Sequence, residues 1–222
     1  MTTLGLETAE AIGGAAVWDD GGLVGEAALD LPLQHAERLL PMVEKLLADC
    51  GLSKGALRRI AVNRGPGSYT GLRIGLATAK GLCQALRIPL VGIDGTDAYR
   101  ARAETSDRVC VVIHARRDRY YVQRFSEARP LAAVKLRTGD ELVRRLSTAR
   151  SAETIIGSGV SRLSESLEEL AIRTQGRVRL GPRALWQPSA AAIARLGHES
   201  TEGDGLYALE PHYVEPVLAT AA

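Results

Sequence analysis

Few residues of this sequence are suited to redox or membrane functions. The 222 residues include three cysteines, Cys50, Cys83 and Cys110, without a Cys-x-x-Cys pair. This excludes a disulfide-stapled scaffold and indicates reduced thiols. No run of about 18 apolar residues occurs, which excludes a transmembrane helix. The first four residues lack the basic side chain that precedes the apolar stretch of a signal peptide. These absences predict a cytoplasmic protein that does not bind membranes.

Residues suited to metal or nucleophilic chemistry are also scarce. The four histidines are His35, His114, His198 and His212. None forms the short-spaced pair that metal sites on helices or loops use. Asp94 and Asp97 have a spacing that suits Mg²⁺, but carboxylates directly after a strand are more often turn residues. The sequence places no base beside the candidate nucleophiles Ser68, Cys83 and Ser158, and it contains no Gly-x-Ser-x-Gly elbow. We therefore expect no catalytic residue, no metal and no cofactor.

The charge of the chain is nearly balanced. The 28 basic and 26 acidic residues leave a net charge of +2, which argues against a stand-alone nucleic-acid binder. Twenty-four of the basic residues are arginines. Three of these, Arg116, Arg117 and Arg119, lie at the tip of a predicted hairpin. A solvated turn is the more common role of such a tip, and an RNA contact is the alternative.

The elements follow one order twice, as strand-strand-strand-helix-strand-glycine turn-helix-strand. In the first half, helices are predicted over Gln34–Asp49 and Tyr69–Leu86. Pro41 should kink the first helix or mark its effective start. Apolar periodicity lapses near Ala98–Asp107, which predicts a domain boundary there.

In the second half, Leu131–Arg137 reads as one strand and Pro188–Leu196 as a helix. The expected domains are residues 1–103 and residues 104–222. The fold class is therefore α/β, a two-lobed actin-like (ASKHA) architecture built from duplicated ribonuclease-H-like units.

Glycines between a predicted strand and helix form the most informative motif, Asn63-Arg64-Gly65-Pro66-Gly67-Ser68-Tyr69-Thr70-Gly71-Leu72-Arg73-Ile74-Gly75. Such a turn lets backbone N–H groups approach an anion, but the Lys-Ser/Thr of a P-loop is missing. Gly65, Gly67 and Gly71, with Asp94 after the next strand, loosely match a dinucleotide site, so an NAD(P) dehydrogenase is one alternative. A nucleotide-dependent phosphotransferase that uses Glu7 and the glycine turns is another.

The same helix carries small residues four positions apart. Gly71, Gly75 and Ala79 form a ridge without side-chain bulk, which a neighbouring helix could approach closely. Glycine within a helix costs about 0.5–1 kcal/mol relative to alanine, so the ridge needs a structural reason. Packing inside the domain and contact with another subunit both satisfy it.

The stretch Arg64–Gly75 resembles the TsaB (YeaZ) family when it is read together with the segment that follows it, Ala79-Lys80-Gly81-Leu82 and Ile88-Pro89-Leu90-Val91-Gly92. Three flanking segments agree, and they are Val17–Gly21, Gln34–Met42 and Ala115–Asp118. The resemblance is dense over residues 1–118 and thinner afterwards, although Gly157–Gly159 and Pro211-His212-Tyr213 are also similar. It implies an actin-like subunit of the bacterial machinery for tRNA threonylcarbamoyladenosine.

The resemblance also implies that this subunit does not carry the chemistry, which belongs to its paralogue TsaD. Sequences of the TsaD type place a His-x-x-x-His motif after the next strand, where this chain has Ile93-Asp94-Gly95-Thr96-Asp97-Ala98 without a histidine. The expected partners are TsaD and TsaE, a second copy of the chain when it is alone, and tRNA only indirectly. A peptidase role, a general label in this superfamily, lacks both a metal and a nucleophile here.

Two residue sets follow from the resemblance. The expected partner-binding residues are Leu39, Met42, Val43, Leu46, Gly71, Gly75, Thr78 and Ala79. The expected residues of a vestigial nucleotide site are Glu7, Thr8, Gly65, Gly67 and Ser68. The family's Asp-Thr-Ser phosphate signature is replaced by Glu7-Thr8-Ala9, which disfavours nucleotide hydrolysis. The tail departs as well, because Tyr213-Val214-Glu215 lacks the family's basic residue.

Overall fold

A computed structural model describes residues 1–30, 35–105 and 107–214. The chain forms two compact units, of which the first comprises Met1–Ala98 and Pro188–His212 and the second includes Tyr99–Gln187. The first unit is built on a five-stranded sheet in the order β3-β2-β1-β4-β5. Its strands are β1 (Thr3–Glu7), β2 (Ile12–Asp19), β3 (Gly22–Asp30), β4 (Arg59–Gly65) and β5 (Leu90–Asp94). The first three strands are antiparallel, whereas β1, β4 and β5 run parallel and end at one edge.

Two helices cover one face of this sheet. They are α1 (His35–Asp49) and α2 (Tyr69–Leu86), and the bounds of α2 match the prediction. Pro41 lies inside α1, so it does not mark the start of that helix as one reading of the sequence expected. The other predicted first residue, Gln34, lies outside the described residues. A short helix, α3 (Gly95–Arg100), follows β5.

The second unit repeats the topology of the first. Its strands are β6 (Arg108–Arg116), β7 (Arg119–Ser126), β8 (Arg129–Pro130), β9 (Lys135–Thr138), β10 (Glu153–Ile156) and β11 (Val178–Leu180). They pair in the order β11-β10-β6-β7-β8, and β9 also pairs with β7. The strand predicted over Leu131–Arg137 is shorter in the structure, because only its last three residues belong to β9, and β8 ends before the predicted start. Helices α4 (Gly139–Ser147) and α5 (Val160–Arg173) pack on this sheet.

The last helix, α6 (Ala190–Glu199), returns to the second face of the first sheet. Glycines and alanines make this close approach possible, because a Cβ atom at Gly5 would lie 2.5 Å from the backbone nitrogen of Ala194. The structure therefore differs from the expected division at residue 103, since residues 188–212 belong to the first unit. None of the described helices is both long and apolar enough to cross a membrane.

Candidate functional site

The five residues of the expected nucleotide site do lie together, at the carboxyl ends of β1 and β4. Glu7 ends β1, and its carboxylate accepts hydrogen bonds from the Ala9 backbone N–H and from Asn63 Nδ2, each 2.7 Å long. Asn63 Oδ1 in turn accepts the Gly65 N–H at 2.8 Å. This chain of bonds ties the Gly-Pro-Gly loop (Gly65–Ser68) to β1. No role was predicted for Asn63, although a polar residue near the end of an apolar strand is a usable signal.

Glu7 is buried, and its ionisation is suppressed. Removal from water, and secondarily the charge of Glu10, raise the pKa of Glu7 to about 8, although the bonds from Asn63 and Ala9 act in the opposite direction. Both carboxyl oxygens already have donors within the chain. Glu7 therefore positions the loop, and its geometry gives it no direct approach to a ligand.

The N-terminus of α2 is also satisfied internally. Ser68 caps the helix, because its Oγ accepts the Gly71 N–H at 3.2 Å. The Ser68 N–H donates to the Ala9 carbonyl at 2.7 Å, and Thr8 Oγ1 donates to the Gly71 carbonyl at 2.8 Å. A Cβ atom at Gly67 would collide with the Ala9 carbonyl. The Thr8–Ala9 backbone is thus packed directly against Gly67 and Gly71.

The small-residue ridge of α2 packs inside its own unit. Cβ atoms at Gly71 and Gly75 would collide with the carbonyl oxygen and with Oγ1 of Thr8, and Ala79 is fully buried. The ridge thus lets α2 approach the end of β1.

The expected partner-binding residues of α1 are buried as well. Leu39, Met42, Val43 and Leu46 are between 2% and 8% exposed and belong to the core of the first unit. Gly71, Gly75 and Ala79 of α2 are buried too. Seven of the eight residues expected at the docking surface therefore lie inside the unit, which contradicts that expectation. The physical reason is that each helix has one strongly apolar stripe, and this stripe packs against the sheet. Thr78 alone of the eight residues is half-buried.

The opposite sides of α1 and α2 form what we call the outward face, which consists of Leu40, Pro41, Glu44, Tyr69, Arg73, Ala77, Gly81 and Ala85. Leu40 and Tyr69 are 44% and 42% exposed. Arg73, Ala77, Gly81 and Ala85 follow one another at intervals of four, and all are exposed. A Cβ atom at Gly81 would have no atom within 4 Å. The outward face therefore has its own low ridge, which the sequence analysis overlooked beside the buried one.

At the other side of the loop, Asp94 is engaged by two side chains. Arg64 Nε donates to Asp94 Oδ1 at 2.7 Å, and His212 Nδ1 lies 3.3 Å from the same oxygen. The His212 N–H also donates to the Arg64 carbonyl at 2.6 Å, which fastens the chain after α6 to the loop. Burial, followed by the charge of Asp94, raises the pKa of Asp97. Asp94 is thus engaged by groups of the chain itself at the position where a ribose hydroxyl or a Mg²⁺ ion was considered.

Metal ligands and nucleophiles are not assembled in the described part of the chain. Within residues 1–30, 35–105 and 107–214, no group of three or more His, Cys, Asp or Glu side chains could hold a metal ion. Burial raises the pKa of the Cys83 thiol to about 12. Ser158 Oγ accepts the His114 N–H at 3.2 Å, and Ser68 caps α2. Each candidate nucleophile is thus either buried or accepts a hydrogen bond that stabilises the fold.

Solved structures establish the class of protein that this fold defines. The structure titled as an uncharacterized protein with similarity to peptidase YEAZ from Pseudomonas aeruginosa is 25% identical, with a TM-score of 0.76 over 96% of this chain and 99% of that one. The ROK hexokinase of Thermus thermophilus is 12% identical and shares the fold alone, with a TM-score of 0.53 over 89% and 97%. The two units therefore have the actin-like (ASKHA) fold.

Sequence comparisons narrow the class to a family. The family model described as "TsaD: tRNA N6-adenosine threonylcarbamoyltransferase" matches residues 18–135, more than half of the chain. The tRNA threonylcarbamoyladenosine biosynthesis protein TsaB of Escherichia coli is 35% identical over 54% of this chain and 53% of its own length. TsaB of Bacillus subtilis is 28% identical over 100% and 97%. The chain belongs to the group that this model describes and, within it, to the TsaB (YeaZ) family.

Proposed function

We propose that the protein is a non-catalytic subunit in tRNA threonylcarbamoyladenosine biosynthesis that binds and activates TsaD in a complex that also includes TsaE. Membership of the TsaB family supports the pathway. The side chains of Glu7, Thr8 and Ser68 all form hydrogen bonds within the chain. These bonds support a structural role for the loop that resembles a phosphate site. The outward face supports a role in docking, and it is the observation that carries the proposal.

The outward face suits a helix-packing partner for a geometric reason. Ala77 and Gly81 leave a low ridge on α2, and such a ridge lets the backbone of a partner helix approach closely. Tyr69, at the start of the same row on α2, and Leu40, on α1, supply exposed apolar area. The Arg73 guanidinium lies 5.0 Å from the centroid of the Tyr69 ring, and its Nη1 donates to the Tyr69 hydroxyl at 2.8 Å. This pair holds the tyrosine in place at the start of α2. A stable heterodimer should bury about 1,200–2,000 Å² in total.

The same face would support self-association when TsaD is absent, because its apolar residues remain exposed in the single chain. TsaD and a second copy should therefore compete for it. We expect added TsaD to dissociate any homodimer, which analytical ultracentrifugation of the mixture would detect.

The test adds bulk to the ridge without disturbing the fold. Gly81→Leu places a side chain in open space and replaces glycine within a helix, so it should raise stability by about 0.5–1 kcal/mol. Affinity for TsaD, measured by isothermal titration calorimetry, should nevertheless fall at least tenfold. Ser166→Leu, on the exposed side of α5, is the matched control and should bind normally. If Gly81→Leu binds TsaD with unchanged affinity, the outward face is not the interface.

A further inference from the structure

The two units carry opposite net charges, which the balanced total conceals. Residues 99–187 contain 18 lysines and arginines against 10 aspartates and glutamates, a net charge of +8. Residues 1–98 and 188–212 contain 10 against 15, a net charge of −5. A charge asymmetry of this size between parts of one chain indicates a polyanionic partner for the basic part.

One end of the second sheet concentrates exposed arginines. The turn between β6 and β7 exposes Arg116, Arg117 and Arg119. A Cβ atom at Gly159, which precedes α5, would lie 2.8 Å from the Tyr120 ring near the start of β7, so the first turn of α5, with the exposed Arg162, lies at the same end. Within the described part of the chain, no carboxylate forms an ion pair with the side chain of Arg117, Arg119 or Arg162. We call Arg116, Arg117, Arg119 and Arg162 the arginine tip.

The nearby acidic groups have other functions. Asp118 Oδ1 accepts the Gly139 N–H at the start of α4, at 3.1 Å. Glu141 forms the capping box of the same helix with Thr138. Both carboxylates are hydrogen-bonded to the backbone of α4, and in the described part of the chain neither forms an ion pair with Arg117, Arg119 or Arg162.

The backbone of the turn is held in place from several directions. His114 Nε2 lies 3.0 Å from the Arg117 carbonyl, and the His114 N–H donates to Ser158 Oγ. The Gly159 N–H donates to the Val112 carbonyl at 2.9 Å, which fixes the turn that carries Ser158 against β6. A cationic turn on a fixed backbone loses less conformational entropy on binding than a mobile loop would.

We propose that the arginine tip binds the phosphate backbone of RNA, and that the RNA is the tRNA substrate. The identity of the RNA rests on the proposed function. Guanidinium groups bind phosphates with paired hydrogen bonds, and several of them at one end of the sheet match the repeated charges of a nucleic-acid strand. The ring of Tyr120, beside the tip, is buried and cannot stack on a base, so the proposed contact is with phosphates. This contact is direct, whereas the resemblance implied only an indirect one.

The test compares two variants of equal charge. Arg117→Ser/Arg119→Ser/Arg162→Ser removes three charges from the tip. Arg129→Ser/Arg150→Ser/Arg173→Ser removes three exposed charges from the opposite end of the same unit. Fluorescence anisotropy with a labelled tRNA transcript should show at least a tenfold loss of affinity for the first variant and less than a threefold loss for the second. The slope of log K against log salt should decrease by about 2–3 for the tip variant alone.

Three outcomes would overturn the proposal. Equal losses in both variants would show that the net charge acts without a defined site. Loss of ATP–Mg²⁺ binding with unchanged tRNA affinity would assign the tip to a free nucleotide. Loss of binding to phosphatidylglycerol vesicles with unchanged tRNA affinity would assign it to a lipid surface. Titration of the same variants with TsaD separates the two proposals, because failure of the wild-type chain to bind TsaD contradicts the proposed function and leaves the RNA result standing.

Discussion

Substitution of Gly71 by alanine tests whether the glycine ridge of α2 serves the fold of the first unit. Alanine in a helix is usually more stable than glycine by about 0.5–1 kcal/mol. At Gly71, however, the added Cβ atom would collide with the Thr8 carbonyl oxygen, and the Thr8 carbonyl carbon would be 3.2 Å away. A backbone carbonyl cannot rotate away, so α2 must shift from β1. Overpacking of this kind costs about 1–3 kcal/mol.

Gly81→Ala provides the reference, because the Cβ position of Gly81 is open. For a chain of this length, 1 kcal/mol corresponds to about 2–4 °C in Tm. We therefore expect Gly71→Ala to lower the Tm by about 2–12 °C and Gly81→Ala to raise it by about 1–4 °C in differential scanning calorimetry. If the two variants are stabilised equally, Gly71 does not pack against Thr8 and the reasoning is refuted.

Two further predictions concern buried carboxylates. The pKa of Glu7 is about 8 in the folded protein against an ordinary 4.5, so its stabilising contribution is complete below pH 4.5 and is lost as the pH rises to 8. Glu7→Gln should therefore show a flatter dependence of Tm on pH between 5 and 9 than the wild type, and parallel curves would contradict the burial of Glu7. In the second unit, Arg124 Nε and Nη2 donate to the fully buried Glu153 carboxylate at 2.5 and 2.7 Å. Arg124→Met should lower the free energy of unfolding, measured in urea, by about 3–5 kcal/mol, because it leaves the buried Glu153 carboxylate without its partner. Adding Glu153→Leu should recover most of this loss, because no buried charge then remains.

Local signals predicted the elements well. The bounds of α2 follow from Ser68, whose hydroxyl caps the first turn, and from the apolar period that begins after it. The helix predicted over Gln34–Asp49 is confirmed as α1 (His35–Asp49), and of the two roles expected for Pro41 the effective start is wrong, because the helix begins before the proline. The fold class is confirmed by solved structures of the same fold.

Long-range contacts explain what the sequence did not predict. The side of α2 that faces inward depends on Thr8, more than sixty residues earlier, and a single stripe of small residues does not reveal which stripe the sheet will cover. The return of α6 to the first sheet depends on the fit between Gly5 and Ala194, which lie in opposite halves of the chain. In the same way, the overall charge hid the basic second unit, because the acidic first unit nearly cancels it.

Reconstitution of threonylcarbamoyl transfer to tRNA tests the central claim most directly. The assay compares this protein alone, TsaD with TsaE, and all three together, with Glu7→Ala as a further form of this protein. The account predicts no transfer and no ATP hydrolysis by this protein alone, and a strong increase in transfer when it joins TsaD and TsaE. Turnover by the purified chain alone that Glu7→Ala abolishes would contradict it.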